Sequence, residues 1–441
     1  MTVPSDTQRR AIGLTSLVCL VVANMIGAGV YTTSGYALDA LGSPYRVLAV
    51  WGVASIIAVA GAICYGGLSR QLVQSGGEYL FLSRAVHPLA GFMAGWISLL
   101  AGFTGAIAYS ATTFVKYLPT SLTVEAPTSQ IFVACCLIAL GALLHLFHTG
   151  SGAVGQNLLV VLKLGAIGLF IVWGCYWIGL PSDATTAGAT ASSPVSLWTY
   201  ANQLMWVSFS FAGFNASIYV AGEAKLGEKT VRASMLYATL GVALVYLLLN
   251  FVFLFSAPTT ETSGQENIAA IAADHLGGNW LRLTVNLLVC LSLATGVSAM
   301  LQAGPRVYVK MAEDGLLPKW FVPAGSEPRV AIVVQAVLAM LLVCLTQLKD
   351  LLDYTSFLLS VSSAATVLCL LLPKFRGIPG NRPCILWPIL PACFATATLV
   401  IAGMGCWFRY HQSPTSLMLS SLVFLSGILF YAARRQRLPP A

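Results

Sequence analysis

Two short segments carry the chemistry that this 441-residue sequence offers: Asn24-Met25-Ile26-Gly27-Ala28-Gly29-Val30 and Ser210-Phe211-Ala212-Gly213-Phe214-Asn215. Neither holds a nucleophile beside a base, a carboxylate pair or a metal-ligand set. Both hold glycine inside an apolar run, where glycine lets the backbone leave a helix. A break there frees backbone groups. N–H groups at the start of the second half-helix attract a carboxylate. Carbonyls at the end of the first attract an ammonium. Such a pair of ends binds both charges of a zwitterion with no ionised side chain. Close packing between helices is the alternative use of small residues in such runs, and Gly91-Phe92-Met93-Ala94-Gly95 fits that pattern.

The remaining candidates are few. Lys163 lies within an apolar run, where a buried ammonium at mid-membrane costs at least ~2.5 kcal/mol and therefore needs a partner or a route to water. His145 and His148 are the one close histidine pair and have no third ligand nearby in sequence, so no metal site is expected. The 11 cysteines sit mostly in apolar runs without a CxxC pair and read as small hydrophobes. No catalytic constellation and no cofactor motif is found, so an enzyme is not expected.

Composition sets where these segments must work. Only 9% of residues are charged and 57% are apolar, and mean hydropathy is +0.81. A soluble domain carries roughly 25% charged residues. There is too little polar surface here to cover a water-soluble globule. A soluble enzyme, a disordered chain and a nucleic-acid binder are excluded, and the lipid bilayer is the expected partner. A channel would need a continuous polar or charged lining, which these runs do not supply.

A helix of about 20 apolar residues crosses a bilayer. By that length, spans fall at Ile12–Leu41, Val47–Leu68, Pro88–Leu118, Ser129–Phe147, Gly152–Leu180 and Leu197–Gly222. Six more fall at Val231–Ala257, Asn279–Met311, Val330–Leu348, Leu351–Pro373, Ile385–Phe408 and Ser416–Ala433. With both termini cytoplasmic, 17 of the 23 Lys and Arg lie in inner segments. That asymmetry is what the positive-inside rule demands. On these boundaries none of the 15 carboxylates sits deep in a span, and 181–196 and 258–276 read as external loops. The expected fold is therefore all-α and polytopic, with 12 transmembrane helices and discontinuous helices one and six. Residues 12–180 and 197–373 would form two five-helix inverted repeats, 385–433 two added helices, and 1–11 and 434–441 cytoplasmic tails. A midplane site between such repeats is a recurring transporter design.

The ordered motifs carry a family resemblance. Ile26-Gly27-Ala28-Gly29-Val30-Tyr31, then Ser75-Gly76-Gly77-Glu78-Tyr79-Leu80, Phe211-Ala212-Gly213-Phe214-Asn215 and Met311-Ala312-Glu313-Asp314-Gly315-Leu316 occur in that order. The chain resembles the amino acid–polyamine–organocation superfamily, and within it the bacterial permeases related to L-type amino acid transporters. The resemblance implies a secondary transporter of L-amino acids in the cytoplasmic membrane, working by alternating access. It places the substrate carboxylate at the amides of Ala28, Gly29 and Val30. It places the ammonium at carbonyls of Met25, Phe211, Ala212 and Phe214. Side-chain selectivity would come from Thr104, Asn215, Met300 and Tyr354, and Phe209 would be the gating aromatic.

Lys163 matches a helix-five lysine that stands in for sodium in sodium-independent relatives. Arginine/agmatine exchangers carry a glutamate in helix six where this chain has Asn215, so the resemblance favours neutral substrates, exchanged or moved with a proton. A cationic amino acid or polyamine antiporter is the alternative within the superfamily, and a non-transporting amino acid sensor the alternative outside transport. Some animal relatives attach a heavy chain through an external cysteine. Pro119–Thr128 holds no cysteine, so no heavy-chain partner is expected, and a homodimer stays open. With both termini inside, green fluorescent protein fused to the C-terminus fluoresces in a bacterial host and alkaline phosphatase there is inactive; the reverse pattern contradicts the orientation.

Overall fold

Apolar sequence surrounded by hydrocarbon can satisfy its peptide groups locally only as helix, and helix is what forms. The computed structural model describes residues 12–119, 126–147, 152–179, 194–323, 327–375, 383–412 and 415–435. Within them the chain builds α1 (Leu14–Met25), α2 (Ala28–Leu41), α3 (Pro44–Gln71), α4 (Gly77–Ala85), α5 (Pro88–Ile97) and α6 (Thr104–Lys116). Then come α7 (Pro127–Phe147), α8 (Gly152–Ile178), α9 (Leu197–Ser210), α10 (Glu228–Phe255), α11 (Thr259–Thr262) and α12 (Ile268–Glu313). The last are α13 (Arg329–Leu345), α14 (Leu348–Leu368), α15 (Ile389–Gln412) and α16 (Thr415–Arg435). The single bridge among the described residues pairs Ile12 with Ala224.

Punctuation in the sequence sets several ends. Pro44 and Pro88 occupy first turns, where a missing N–H costs nothing. His87 accepts a hydrogen bond from the Leu89 amide at 3.1 Å and so caps α5. Between α5 and α6, Ser98–Phe103 widens into a π turn.

Ten stretches are long and apolar enough to cross a membrane among the described residues. The expected sixth and ninth spans are not among them. The sixth stops after 14 residues at Ser210 and resumes as the 3-10 segment Ala216–Glu223. The ninth, α13, is 17 residues long. The eighth begins earlier than expected: α12 starts at Ile268 and turns sharply at Gly277 and Gly278. Its first turns bury Ile268, Ala269, Ala272 and Ala273, so part of the expected external loop is packed helix. A linear reading sees Glu261 and Asp274 as loop signals and cannot see that Ile268 and the alanines share one buried face. Residues 120–125, in the segment tied above to heavy-chain attachment, lie outside the described residues, as do 180–193.

Two carboxylates also depart from expectation. Glu78 is 2% exposed and Asp353 3% exposed. The short α4 is not a span, yet it packs against α5, α14 and α12, which draws Glu78 inside. Position along the chain gives no hint of that return.

The broken elements occupy the centre. α1 packs on α10, α8 and α12, while α9 packs on α2, α3, α14 and α15. α7, α8 and α16 lie outside and present Phe132, Leu169, Val172 and Leu429 outward. An apolar outer wall of this kind needs lipid around it.

Candidate functional site

Gly27 and Gly213 do what their positions promised. α1 ends at Met25, Ile26 and Gly27 leave helical geometry, and α2 starts at Ala28. α9 ends at Ser210, and Gly213 takes φ +102° in the turn that follows. The two breaks lie against each other. A Cβ on Gly213 would stand 2.8 Å from the Asn24 carbonyl oxygen, and one on Gly29 would stand 2.9 Å from Cα and Cβ of Ser210. Only glycine allows this approach.

The breaks free carbonyls, and later helices claim those of Met25, Ile26 and Ser210. The Tyr246 hydroxyl lies 2.6 Å from the Met25 oxygen and 2.9 Å from the Ser210 oxygen, so one phenol joins both breaks. Lys163, 1% exposed, donates to the Ile26 oxygen at 3.0 Å, and the Ser292 hydroxyl lies 3.4 Å from the same atom. The Gly27 amide also donates to Met25 at 2.8 Å. Beyond Ser210, the Phe214 amide donates to Phe211 at 3.2 Å, and the Ala216 amide to Gly213 at 2.9 Å. The Ala212 carbonyl takes no backbone bond.

The amide side is open. No side chain caps α2, so Ala28, Gly29 and Val30 present first-turn N–H groups. Beside them the Ser210 hydroxyl is buried without a partner, an arrangement costing ~1–3 kcal/mol if nothing binds there. Uncapped amides, an unpartnered hydroxyl and the Ala212 carbonyl together can hold a carboxylate and an ammonium.

The other nominated residues divide. Phe209 packs edge-on against Tyr109, with centroids 5.5 Å apart, and the Tyr109 hydroxyl bonds Thr32. Met300 is buried on α12, and its carbonyl accepts from Gln335 at 3.2 Å. Phe214 turns toward α3 and meets Tyr65 edge-on at 5.2 Å. Asn215 does not face the uncapped amides; its Nδ2 donates to Glu78 at 3.2 Å. Thr104 donates to the Leu99 carbonyl, and Tyr354 to the Leu100 carbonyl at 2.6 Å. Tyr354 packs with Ile97, Ala101, Leu358 and Val423, in a cluster apart from the main core. Among the described residues no group of His, Cys, Asp and Glu could hold a metal.

Residues 12–432 match the amino acid permease family. The chain belongs to that family. It is 23% identical over 440 residues to the human b(0,+)-type amino acid transporter 1, across 96% of this chain and 87% of that protein. It is 24% identical over 443 residues to the human large neutral amino acids transporter small subunit 2, across 96% and 80%. The human cystine/glutamate transporter is 23% identical over 429 residues, across 96% and 85%. The permease is thus a multi-pass membrane transporter of amino acids and not an enzyme.

Two residues of the permease escaped sequence reasoning. Tyr246 gave no signal, because a lone tyrosine in a span reads as core. Ser210 opens the second glycine segment but was given no role there, and its value appears only when Gly29 is placed beside it. Both are testable. Gly29→Val introduces a Cβ that would stand 2.9 Å from Ser210 Cα, overpacking worth ~1–3 kcal/mol, so labelled amino acid uptake into vesicles falls roughly tenfold. Uptake equal to wild type would contradict the close approach. Tyr246→Phe leaves the Met25 and Ser210 carbonyls without their shared donor, costing ~1–3 kcal/mol. A lower thermal midpoint in detergent is expected, and an unchanged midpoint would show that the phenol ties nothing.

Proposed function

We propose that this permease moves neutral L-amino acids across the cytoplasmic membrane by alternating access, without sodium. The uncapped start of α2 carries the reading. Amides of Ala28, Gly29 and Val30 suit the α-carboxylate that every amino acid shares, and the Ala212 carbonyl suits the ammonium. In this reading the site lies between the two broken helices, residues 12–180 and 197–373 form the two inverted repeats, and both termini are cytoplasmic.

Neutral side chains are favoured because the buried charges are already engaged. Glu78 accepts bonds from four side chains. Asp353 accepts from the Trp206 indole at 2.6 Å and pairs with Arg409 at 2.6 Å. An unpaired cationic side chain brought into such a site loses its hydration without gaining a partner. The printed names of the relatives span large neutral amino acids and cystine/glutamate, so similarity alone does not choose. An acidic side chain would need a cation, and Lys163 is spent on Ile26.

That bond supports the sodium-independent reading as well. The Lys163 ammonium holds a freed carbonyl at the first break, which is where a bound cation would otherwise serve. A counterflow screen of the twenty amino acids in proteoliposomes, with sodium or choline as the cation, tests both parts. Alanine, serine or leucine should exchange equally well in either salt. Lys163→Ala removes a charged hydrogen bond worth ~1.5–3 kcal/mol, so exchange falls roughly tenfold or more. Competition by arginine or putrescine alone overturns the neutral assignment, and a sodium requirement overturns the role of Lys163.

A further inference from the structure

By chain order Glu78 belongs to the connection between α3 and α5. In the fold it is a buried carboxyl with no ion-pair partner among the described residues. Its Oε1 accepts from the Tyr65 hydroxyl of α3, from Asn215 Nδ2 at 3.2 Å and from Ser363 Oγ at 3.4 Å. Its Oε2 accepts from Ser362 Oγ at 2.7 Å. These donors are dipoles from three elements, and one of them belongs to the helix-six break itself.

The surrounding titratable groups supply no cation. α5 offers none. The 3-10 segment brings Tyr219, whose hydroxyl accepts from Asn215 Nδ2 at 3.4 Å, and Glu223, which pairs with Arg306. From α12, Tyr308 is buried, and Lys310 pairs with Glu313 and Asp314, each at 3.3 Å. On α4 itself, Tyr79 donates to Asp314 at 2.6 Å, and Arg84 stands in the last turn, six residues beyond Glu78. α3 adds the Cys64 thiol beside Cys384 and, at its end, Arg70, which faces Glu228. α14 adds only serines near Glu78, with Cys369 just beyond its end.

A cavity reaches the same place. It lies between α3, α9, α14 and α15 and is lined by Ser208, Ser356, Ser360, Ser363 and Thr398 among phenylalanines. Ser356, Ser360 and Ser363 are spaced four and three apart, so they share one face of α14. Ser363 both lines the cavity and reaches Glu78. The Thr398 hydroxyl is buried there without a partner. Hydroxyls donate and accept, so they can pass a proton along such a face.

We propose that Glu78 is the proton-binding site that couples this permease to a proton gradient, loaded through the hydroxyl-lined face of α14. The proposal rests on the carrier reading above and adds its driving ion. One proton forms an O–H bond on the carboxylate, whose charge goes from −1 to zero; the same proton leaves on the opposite side of the membrane with the substrate. Hydrogen bonds to an ionised group are roughly twice as strong as neutral ones. Protonation therefore loosens Asn215, and with it the helix-six break, while deprotonation ties the break back to α3 and α14. Burial raises the proton affinity of Glu78 above that of an ordinary carboxylate, and bonds from Ser362, Tyr65 and Ser363 draw it partly back.

Two proteoliposome assays test this separately from the carrier reading. Counterflow of labelled alanine at equal pH on both sides reports the carrier, and accumulation driven by an imposed pH gradient reports coupling. Wild type should do both, with accumulation rising as external pH falls, as protonation of a carboxylate whose proton affinity burial has raised requires. Glu78→Gln should still exchange, at a rate that no longer follows pH, and should not accumulate under the gradient. Glu78→Asp should recover coupling, and Ser363→Ala should slow accumulation more than counterflow. Glu78→Gln accumulating like wild type overturns the proposal, as does a wild type that exchanges but ignores the gradient. A wild type without counterflow removes the carrier reading and the proposal together. Where Glu78→Gln yields no folded protein, the Ser363→Ala comparison decides.

Discussion

A peptide group without its helix partner has nowhere to turn in hydrocarbon, and each one left so costs several kcal/mol. Everything at the centre of this permease answers to that cost. The carbonyls freed at Met25, Ile26 and Ser210 are met by a phenol, an ammonium and a serine hydroxyl delivered from α10, α8 and α12. The amides freed at Ala28, Gly29 and Val30 are met by no side-chain cap. In the proposed reading that asymmetry receives the ligand: the side of the break left without a cap suits an anion, the substrate carboxylate.

The breaks were readable in the sequence because only glycine tolerates their geometry: Gly213 needs a positive φ and Gly29 needs a missing Cβ. Their partners were not. Tyr246 meets Met25 across 221 residues and Ser292 meets Ile26 across 266, on helices whose local pattern is merely apolar. Thr104 and Tyr354 mark a different limit. Both hydroxyls go to carbonyls of the π turn, Leu99 and Leu100. An extra residue in a helical turn shifts the face that follows and weakens the bonds beside it. Counting residues from a family motif assumes an unbroken α-helix, so the face on which Thr104 falls depends on this turn.

Charge was legible in sum and misleading in detail. Its scarcity pointed to the bilayer, and its asymmetry carries the proposed orientation. Span boundaries, however, placed all carboxylates at the margins, whereas α4 carries Glu78 inward and α14 keeps Asp353 buried. Burying an anion takes several well-aimed donors or a cation. Glu78 has the donors and Asp353 has Arg409 with the Trp206 indole. Neither arrangement can be read from a hydropathy trace, because each draws on three separate helices.

The two halves of helix six are anchored to different bodies. α9 is held through Trp206 and Asp353 to α14 and through Arg409 to α15, while the 3-10 segment is held through Glu223 to Arg306 of α12 at 3.0 Å. The anchors differ in strength. Asp353 is 3% exposed, and removing one partner of a buried pair costs ~3–5 kcal/mol. Glu223 and Arg306 are 36% and 28% exposed, and pairs that open to solvent are worth ~0–1 kcal/mol. Between them lie Phe211–Asn215, the stretch without regular helix. A body pinned firmly at one end, lightly at the other and unwound between bends at the unwound part and yields first at the light end. Under the proposed coupling, the Glu223 end, where Asn215 also touches Glu78, is where substrate contact and proton state would be converted into opening.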